Sequence, residues 1–400
     1  MINKIEKALF TVCNLAYLPK ALALAESVLE NEGIKIKIYL FDKKVDGELP
    51  NNIADFIWIE DLKIEDLYIY AFKYDITEFS TSLKPYIAIN LLKEYEKVMF
   101  LDPDTYLFNS LDSLWNILEN NSVLLTPHYI TPKEDSDVGM MRFGSFNLGF
   151  FGVNNSSESH RFLNWWNERC LNLCYFETQF GLSTDQKWIS IAPCFFPDLY
   201  ISFDLGNNVA FWNAHERKIT KDSTGRYMVN GKFYLNFFHF SSFDEKNPEL
   251  LSKRPFSDKH LKREDLLELS LIYLKVLEKY KLPISKTPYG FDFMSNGTYI
   301  SPTLRKAYAA IYTDLPKNHN PFDFESYMGK FAKKNYLIEK NKQFVPEGFS
   351  SLEKNRNKLL VLNKFLKIIL FIVGPNRFSN FSRLLVFLSS YRINKDLWKI

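Results

Sequence analysis

Apolar residues in the first half of the chain fall in short blocks with two different periods. Residues 7–12, Lys7-Ala8-Leu9-Phe10-Thr11-Val12, form a block too short for a buried helix and read as a strand. A polar turn, 14–17, follows, with Pro19 at a first helical position. Ala21, Leu22, Leu24, Ala25, Val28 and Leu29 then recur at helical spacing until Gly33 stops the run. Residues 34–41 alternate and are rich in Ile, which predicts a second strand. Strand, helix and strand of these lengths make a βαβ unit, so the sheet is expected to be parallel, with a right-handed crossover.

The pattern continues with a short strand at 57–59 and a helix at 82–95 opening on Lys84-Pro85-Tyr86. A helix at 111–118 and a strand at 122–126, ending near His128, come next. Residues 146–153, Phe-Asn-Leu-Gly-Phe-Phe-Gly-Val, read as a strand whose glycines stand where bulk would obstruct a neighbouring backbone or ligand. A helix covers 160–174. Another starts near 183–189 with Ser183 or Thr184 as its cap, and 234–240 is an aromatic strand carrying His239. From about Lys253 helical patterns dominate (261–280 and 304–312), between turns rich in Pro and Asn. The expected organisation is residues 1–252, then a helical region 253–352, then basic apolar helices 353–400.

The chemistry concentrates where the uncharged run Val98-Met99-Phe100-Leu101 meets Asp102-Pro103-Asp104. Two ionised carboxylates one residue apart, at the end of a buried strand, need a compensating charge. A divalent cation shared with a diphosphate is an economical partner. A solvated turn rich in Asp is the ordinary alternative. In an open sheet ligands sit beyond the carboxyl ends of the strands, so 11–17 and 102–104 are expected to face one crevice.

Composition adds three things. Aromatic content of 16%, with 36 Phe and 22 Tyr, suits a groove for sugar or nucleoside rings, though flat residues also fill cores. The cysteines Cys13, Cys170, Cys174 and Cys194 have no metal-ligand spacing and read as reduced, buried thiols of a cytosolic protein. No signal peptide is visible, and no apolar run approaches the ~20 residues needed to span a bilayer.

Charge is uneven. Residues 353–400 hold ten Lys and Arg against two acids, a local +8 within a total of +3, which leaves −5 on the remainder. Residues 359–373 are too short to span a membrane and too apolar for an ordinary exposed face, and Arg377, Arg383 and Arg392 flank a second apolar stretch at 384–388. Such helices either lie in the headgroup region of anionic membranes or pack on protein. The expected location is the cytoplasm, at the inner face of the cytoplasmic membrane. Nucleic acid is not an expected partner, because the basic residues sit in an apolar region and the rest is acidic.

Taken together and in order, the motifs resemble the GT-A fold glycosyltransferases, closest to the GT8-like family of glycogenin and bacterial galactosyltransferases. They are the opening strand with Asn14 and Tyr17, Lys84, Phe100-Leu101-Asp102-Pro103-Asp104, Phe146-Asn147-Leu148-Gly149, Thr184-Asp185-Gln186 and Phe238-His239-Phe240-Ser241. The resemblance covers roughly 7–245 and implies an α/β, Rossmann-like, mixed but mainly parallel sheet with a helical C-terminal extension. It implies transfer of a sugar from a nucleotide-diphosphate sugar, UDP-sugar foremost, to a hydroxyl of a glycan or lipid-linked acceptor, with retention. Asp102, Asp104 and His239 would hold Mn²⁺ or Mg²⁺. Taken alone, His239 in an aromatic strand reads more often as a packed core residue.

By the same resemblance, Thr11, Val12 and Asn14 would line the nucleotide pocket, and Tyr17 would stack on the base or, failing that, pack on the sheet. Lys84 would neutralise phosphate or donor-sugar charge; a solvated helix-start lysine is the plain alternative. Asn147 and Gly149 would lie under the donor sugar, unless the glycine is purely structural. Asp185 and Gln186 would approach the anomeric carbon, with a helix-capping role for Asp185 as the competing reading. The family often follows its His with Gly and then Lys-Pro-Trp; here Ser242 stands at the glycine, and Lys246 is the lysine available to grip the diphosphate. Residues 208–213 fit a bacterial branch and would shape the acceptor side.

Three rival functions fit the sequence less well. A sugar nucleotidyltransferase needs a Gly-rich loop after the first strand, and 11–19 contains no glycine. A glycoside hydrolase needs carboxylates that straddle a sugar, which Asp102 and Asp104 are too close to do. A non-catalytic sugar- or nucleotide-binding protein is countered by the retained Asp102, Asp104, Asp185 and His239.

Overall fold

The computed structural model describes residues 5–254, 263–316, 319–339, 356–390 and 392–398. Its strands begin with β1 (Ile5–Cys13), β2 (Ile36–Leu40), β3 (Ala54–Trp58), β4 (Tyr95–Leu101), β5 (Thr105–Leu107), β6 (Val123–Pro127) and β7 (Phe146–Asn154). Next come β8 (Phe176–Glu177), β9 (Leu182–Ser183), β10 (Leu199–Ile201), β11 (Ile219–Lys221), β12 (Tyr227–Val229), β13 (Phe233–Tyr234) and β14 (Phe237–His239). Seven of them form one sheet in the order β10-β6-β7-β4-β1-β2-β3. Neighbours run parallel except beside β7, which is antiparallel to both β4 and β6. This is the mixed, mainly parallel α/β sheet that the resemblance implies; the periodicity alone predicts a parallel one, and antiparallel β7 is the departure.

The chain follows its local chemistry. Helix Leu18–Glu32 has Pro19 in its first turn and ends on Gly33, whose φ of 67° needs no Cβ. Its apolar face, with Leu22, Ala25 and Val28, shares a core with Leu9, Met99 and Leu101. The predicted 82–95 helix is shorter, Lys84–Leu91, preceded by a separate helix Ile76–Ser82. Capping differs from expectation at 183–189. Helix Gln186–Ile189 has no side-chain cap, because Thr184 sits at a φ of 48° and its hydroxyl donates to Asp185 Oδ1 at 3.1 Å. Cys13, Cys170 and Cys174 are buried free thiols, whereas Cys194, on the short helix Ala192–Cys194, is exposed rather than buried.

The described residues group into two compact units, 1–65 with 76–290, and 66–75 with 291–400. The composition change near Lys253 is not where these units part. Helix Glu264–Lys279 places Leu266, Leu269, Tyr273 and Leu277 in one apolar cluster with Tyr106, Phe238 and Phe240, which ties it to the sheet-bearing unit. Leu261 and Lys262, the start of the predicted 261–280 helix, lie outside the described residues. In the second unit the buried Arg305, on helix Pro302–Ile311, donates to the carbonyls of Ala71, Phe72, Tyr74 and Phe291 and pairs with Asp292 at 2.8 Å. Helices Arg356–Val373 and Pro375–Leu388 pack against each other across Gly374. Among the described residues no helix is long and apolar enough to cross a membrane.

Candidate active site

β4 delivers Leu101 into the core and stops. The Asp102 N–H is bonded to the Gly149 carbonyl at 2.8 Å, and the turn closes through Thr105, whose N–H and hydroxyl both reach the Asp102 carbonyl. The chain then re-enters a two-stranded ribbon in which β5 pairs antiparallel with β14, with His239 opposite Thr105. That register puts an imidazole from far along the chain against the acidic turn. His239 Nε2 lies 3.1 Å from Asp104 Oδ1 and 3.7 Å from Asp102 Oδ2. Ligand atoms of all three residues fall within 4.8 Å of one another. Asp104 and His239 are buried, and Asp102 is partly open, with a side chain 28% exposed.

Electrostatics reinforce the arrangement. Burial alone would raise the Asp104 carboxyl; His239, and then Lys20 at 3.8 Å, outweigh it and bring the pKa down to about 2. Lys84 is buried and opens helix Lys84–Leu91. Its ammonium donates to the Leu148 carbonyl at 2.9 Å and lies 3.3 Å from Asp102 Oδ1 and 3.4 Å from Asp185 Oδ2. Burial pulls its pKa down, but Asp102 and Asp185 together hold it above the ordinary lysine value. One cation shared by two carboxylates is too little for the deeper one, so burial leaves the Asp185 carboxyl above its usual range. Lys84 is therefore a buried bridge and not a solvated helix-start lysine.

The other expected site residues are placed as follows. Thr11 and Val12 are buried in β1, with Thr11 Oγ1 lacking a hydrogen-bond partner. Asn14 caps the short helix Leu15–Tyr17, its Oδ1 accepting from the Tyr17 N–H at 3.2 Å. Tyr17 is 44% exposed, with the Lys20 ammonium 4.3 Å from its ring centroid. Asn147 Oδ1 accepts from the Gly149 N–H at 3.1 Å. A Cβ on Gly149 would fall 2.4 Å from His239 Cε1, so this glycine makes room for the imidazole. Gln186 is held at both ends, accepting from the Leu148 N–H at 3.1 Å and donating to the Phe143 carbonyl at 3.1 Å. Lys246 is exposed in the turn after β14, where its N–H donates to Asp244 Oδ1 at 3.2 Å. Ser242 has a φ of 54°, the left-handed conformation that explains a glycine at this place in the family pattern.

Sequence reasoning did not single out Lys20, whose role depends on helix Leu18–Glu32 leaning over the acidic turn. It also missed what 207–213 does: Asn208 meets the far side of His239 at 3.3 Å, and the Trp212 ring stands edge-on to that imidazole at 5.1 Å. The clustering of Asn and Trp in 207–213 was the available signal.

A mixed, mainly parallel α/β sheet with an Asp-x-Asp turn at the end of its central strand, faced by a distant His, is the arrangement that the resemblance to GT-A sugar transferases implies. Residues 8–178, less than half of the chain, match the profile described as Glycosyl transferase family 8, and over that stretch the chain is similar to this family. The match holds Lys84, Asp102, Asp104, Asn147 and Gly149, whereas Asp185, Gln186 and His239 lie beyond it. Two proteins of Bacillus subtilis (strain 168) are similar. "Uncharacterized protein YfnD" is 24% identical over 226 residues, 55% of this chain and 70% of that protein. "Uncharacterized protein YfnF" is 27% identical over 177 residues, 42% of this chain and 58% of that protein. Among solved structures, the galactosyltransferase LgtC with donor and acceptor sugar analogues is 14% identical with a TM-score of 0.43, covering 69% of this chain and 96% of that one.

Proposed function

We propose that this chain moves a sugar from a nucleotide-diphosphate sugar, UDP-sugar foremost, to a hydroxyl of a glycan or lipid-linked acceptor, with a divalent cation and with retention of configuration. One observation carries this reading: Asp102, Asp104 and His239 bring two carboxylates and an imidazole nitrogen within 4.8 Å. That donor set fits Mn²⁺, and Mg²⁺ less closely because of the imidazole. When bound there, such a cation would neutralise charge on a departing diphosphate.

The remaining work falls to the chain's own side chains. Thr11, Val12 and Asn14 line the nucleotide side and Tyr17 offers its exposed ring to the base. Lys246 reaches for the diphosphate from its turn. Lys84 holds Asp102 in place and keeps a positive charge beside the donor sugar, with Asp185 fixing its position. Gln186 and Asn147, tethered to one another and to β7, form the floor. With Asp185 already engaged by Lys84, the departing phosphate is the base on the acceptor's face, which supports retention. The C-terminal helices support docking at an anionic membrane surface. Residues 356–388 hold six Lys and Arg and no acid. Val361, Phe371 and Ile372 there are 69%, 89% and 72% exposed.

The test is a donor screen with Mn²⁺, read as nucleoside diphosphate release with and without acceptors, repeated for Asp102→Ala and Asp104→Ala. We expect release from one donor and its loss by at least ~100-fold in both variants. Full activity in either variant would remove the metal assignment; no release from any donor would favour a binding protein.

A further inference from the structure

We propose that Lys20 binds the donor, its ammonium holding the phosphate nearer the nucleoside, at the opposite end of the acidic pair from Lys84. The inference rests on the nucleotide-sugar reading above and adds to it a residue and a direction for the bound donor.

The carboxylate oxygens of the acidic pair meet their neighbours in a definite order. Asp102 Oδ1 faces the Lys84 ammonium at 3.3 Å. Asp102 Oδ2 and Asp104 Oδ1 share the His239 imidazole, at 3.7 Å and 3.1 Å. Asp104 Oδ2 faces the Lys20 ammonium at 3.8 Å. The two lysines thus stand at the outer ends, and they differ in what they have left to give. Lys84 is fully engaged: its side chain is 3% exposed, and its ammonium lies against the Leu148 carbonyl, Asp102 and Asp185. Lys20 is not. A separation of 3.8 Å is beyond hydrogen-bond reach, and the other neighbour of the ammonium is the Tyr17 ring, 4.3 Å to its centroid. Among the described residues the Lys20 ammonium has no hydrogen-bond acceptor. A side chain 16% exposed leaves it partly desolvated with N–H donors to place, a state that favours a strong acceptor from outside the chain.

Nothing in the helix itself asks for a lysine at this position. Lys20 falls in the first turn of helix Leu18–Glu32, which holds no acid, so its charge faces the positive end of the helix dipole. Such a local conflict is expected where function, not folding, sets the residue. Charge balance points the same way. Asp102, Asp104, Asp185 and a diphosphate carry more negative charge than one divalent cation and Lys84 can balance. The surroundings then give the donor a direction. The Lys84 end continues into Asp185 and, through Leu148, into Gln186 and Asn147. The Lys20 end continues into Tyr17, whose ring is 44% exposed. A donor laid along this line has its sugar beside Lys84 and its base on Tyr17. The phosphate nearer the nucleoside falls beside Lys20, whose ammonium meets phosphate oxygens as a point charge.

The experiment is calorimetric titration of the full chain, with Mn²⁺ present, by uridine, cytidine, guanosine and adenosine diphosphates. The monophosphate and the free nucleoside of whichever binds are then titrated in turn. Lys20→Met keeps an unbranched side chain beside Tyr17 and removes the charge; Lys20→Arg keeps a charge. Lys20→Met should weaken both the diphosphate and the monophosphate by ~10- to 100-fold and leave the nucleoside within ~2-fold of wild type. Lys20→Arg should recover most of that loss. Mn²⁺ alone, read by loss of the free-ion paramagnetic signal, should bind Lys20→Met at least as tightly as wild type, because a like charge has left Asp104. Three results would overturn the proposal alone. One is nucleotide affinity unchanged in Lys20→Met, or a loss confined to the diphosphate. Another is equal weakening of the nucleoside, which would make Lys20 a support for the Tyr17 ring. The third is a loss of Mn²⁺ affinity as large as the loss of nucleotide affinity, which would make it a support for Asp104. A wild type that binds none of the diphosphates would overturn the nucleotide-sugar reading, and this proposal with it.

Discussion

Lys84 lies between two carboxylates in a space that admits almost no water. Removing an ammonium from such a place leaves charge without compensation, so Lys84→Met should cost about 3 kcal/mol of stability, read by urea unfolding, and lower nucleoside diphosphate release by at least ~100-fold. Retained stability would mean that Asp185 takes up a proton at little cost. His128 gives a separate test at the same scale. Burial lowers its pKa from 6.5 to about 4. A folded-state value below the unfolded one means that the neutral ring's contribution is complete above pH ~6.5 and is lost as pH falls toward 4. His128→Gln should therefore flatten the decline in unfolding free energy between pH 7 and pH 4.5, by up to about 3 kcal/mol. Equal slopes in the two proteins would show that the ring is not the group responsible. The acidic pair and His239 were legible in the sequence because their chemistry is written in their residue types and in the order of motifs. Asn208 was not. An asparagine in a loop has no period, and its importance arises only when the fold brings it against His239, 31 positions further along the chain.

β7 and β14 meet at the site, and the contact tolerates no side chain at Gly149. A methyl there would lie 2.4 Å from His239 Cε1 and 2.6 Å from Nδ1, so the imidazole must rotate away. Gly149→Ala should lower stability by ~1–3 kcal/mol, as overpacking does, and weaken Mn²⁺ binding by ~10-fold or more. Calorimetric titration with Mn²⁺ checks it, and unaltered affinity would place the ring elsewhere. The glycine itself could be read as needing room; which neighbour claimed that room could not, because a contact between residues far apart in the chain leaves no local trace. The long, strongly periodic pieces, β1, helix Leu18–Glu32 and β4, were legible for the opposite reason: each states its own buried face. The short helix Gln186–Ile189 shows the limit. Thr184 is a good capping residue by type, but the tertiary structure turns it to a positive φ and its hydroxyl to Asp185, so local preference yields.

At the scale of the whole chain, charge and apolar surface are separated along the sequence. The acidic sheet-bearing part holds the site, and helices Arg356–Val373 and Pro375–Leu388 combine Lys358, Lys364, Lys367, Arg377 and Arg383 with Leu360, Phe365, Ile368, Phe371 and Leu384, each of these five apolar residues half exposed or more. Water is a poor environment for such a surface. An anionic lipid surface would satisfy both halves of it, apolar faces at the acyl boundary and cations among the headgroups, each cation near the surface contributing ~1 kcal/mol. Replacing Lys358, Lys364, Lys367, Arg377 and Arg383 together by Gln in the full chain should weaken sedimentation with phosphatidylglycerol vesicles by at least ~100-fold. Donor hydrolysis in solution should not change. Wild-type binding should fall as salt rises toward 0.5 M, since the Debye length shrinks below ~5 Å. A concentration-dependent dimer that ignores both salt and vesicles would assign these helices to a second copy of the chain instead, and the lipid-linked alternative for the acceptor would lose its support.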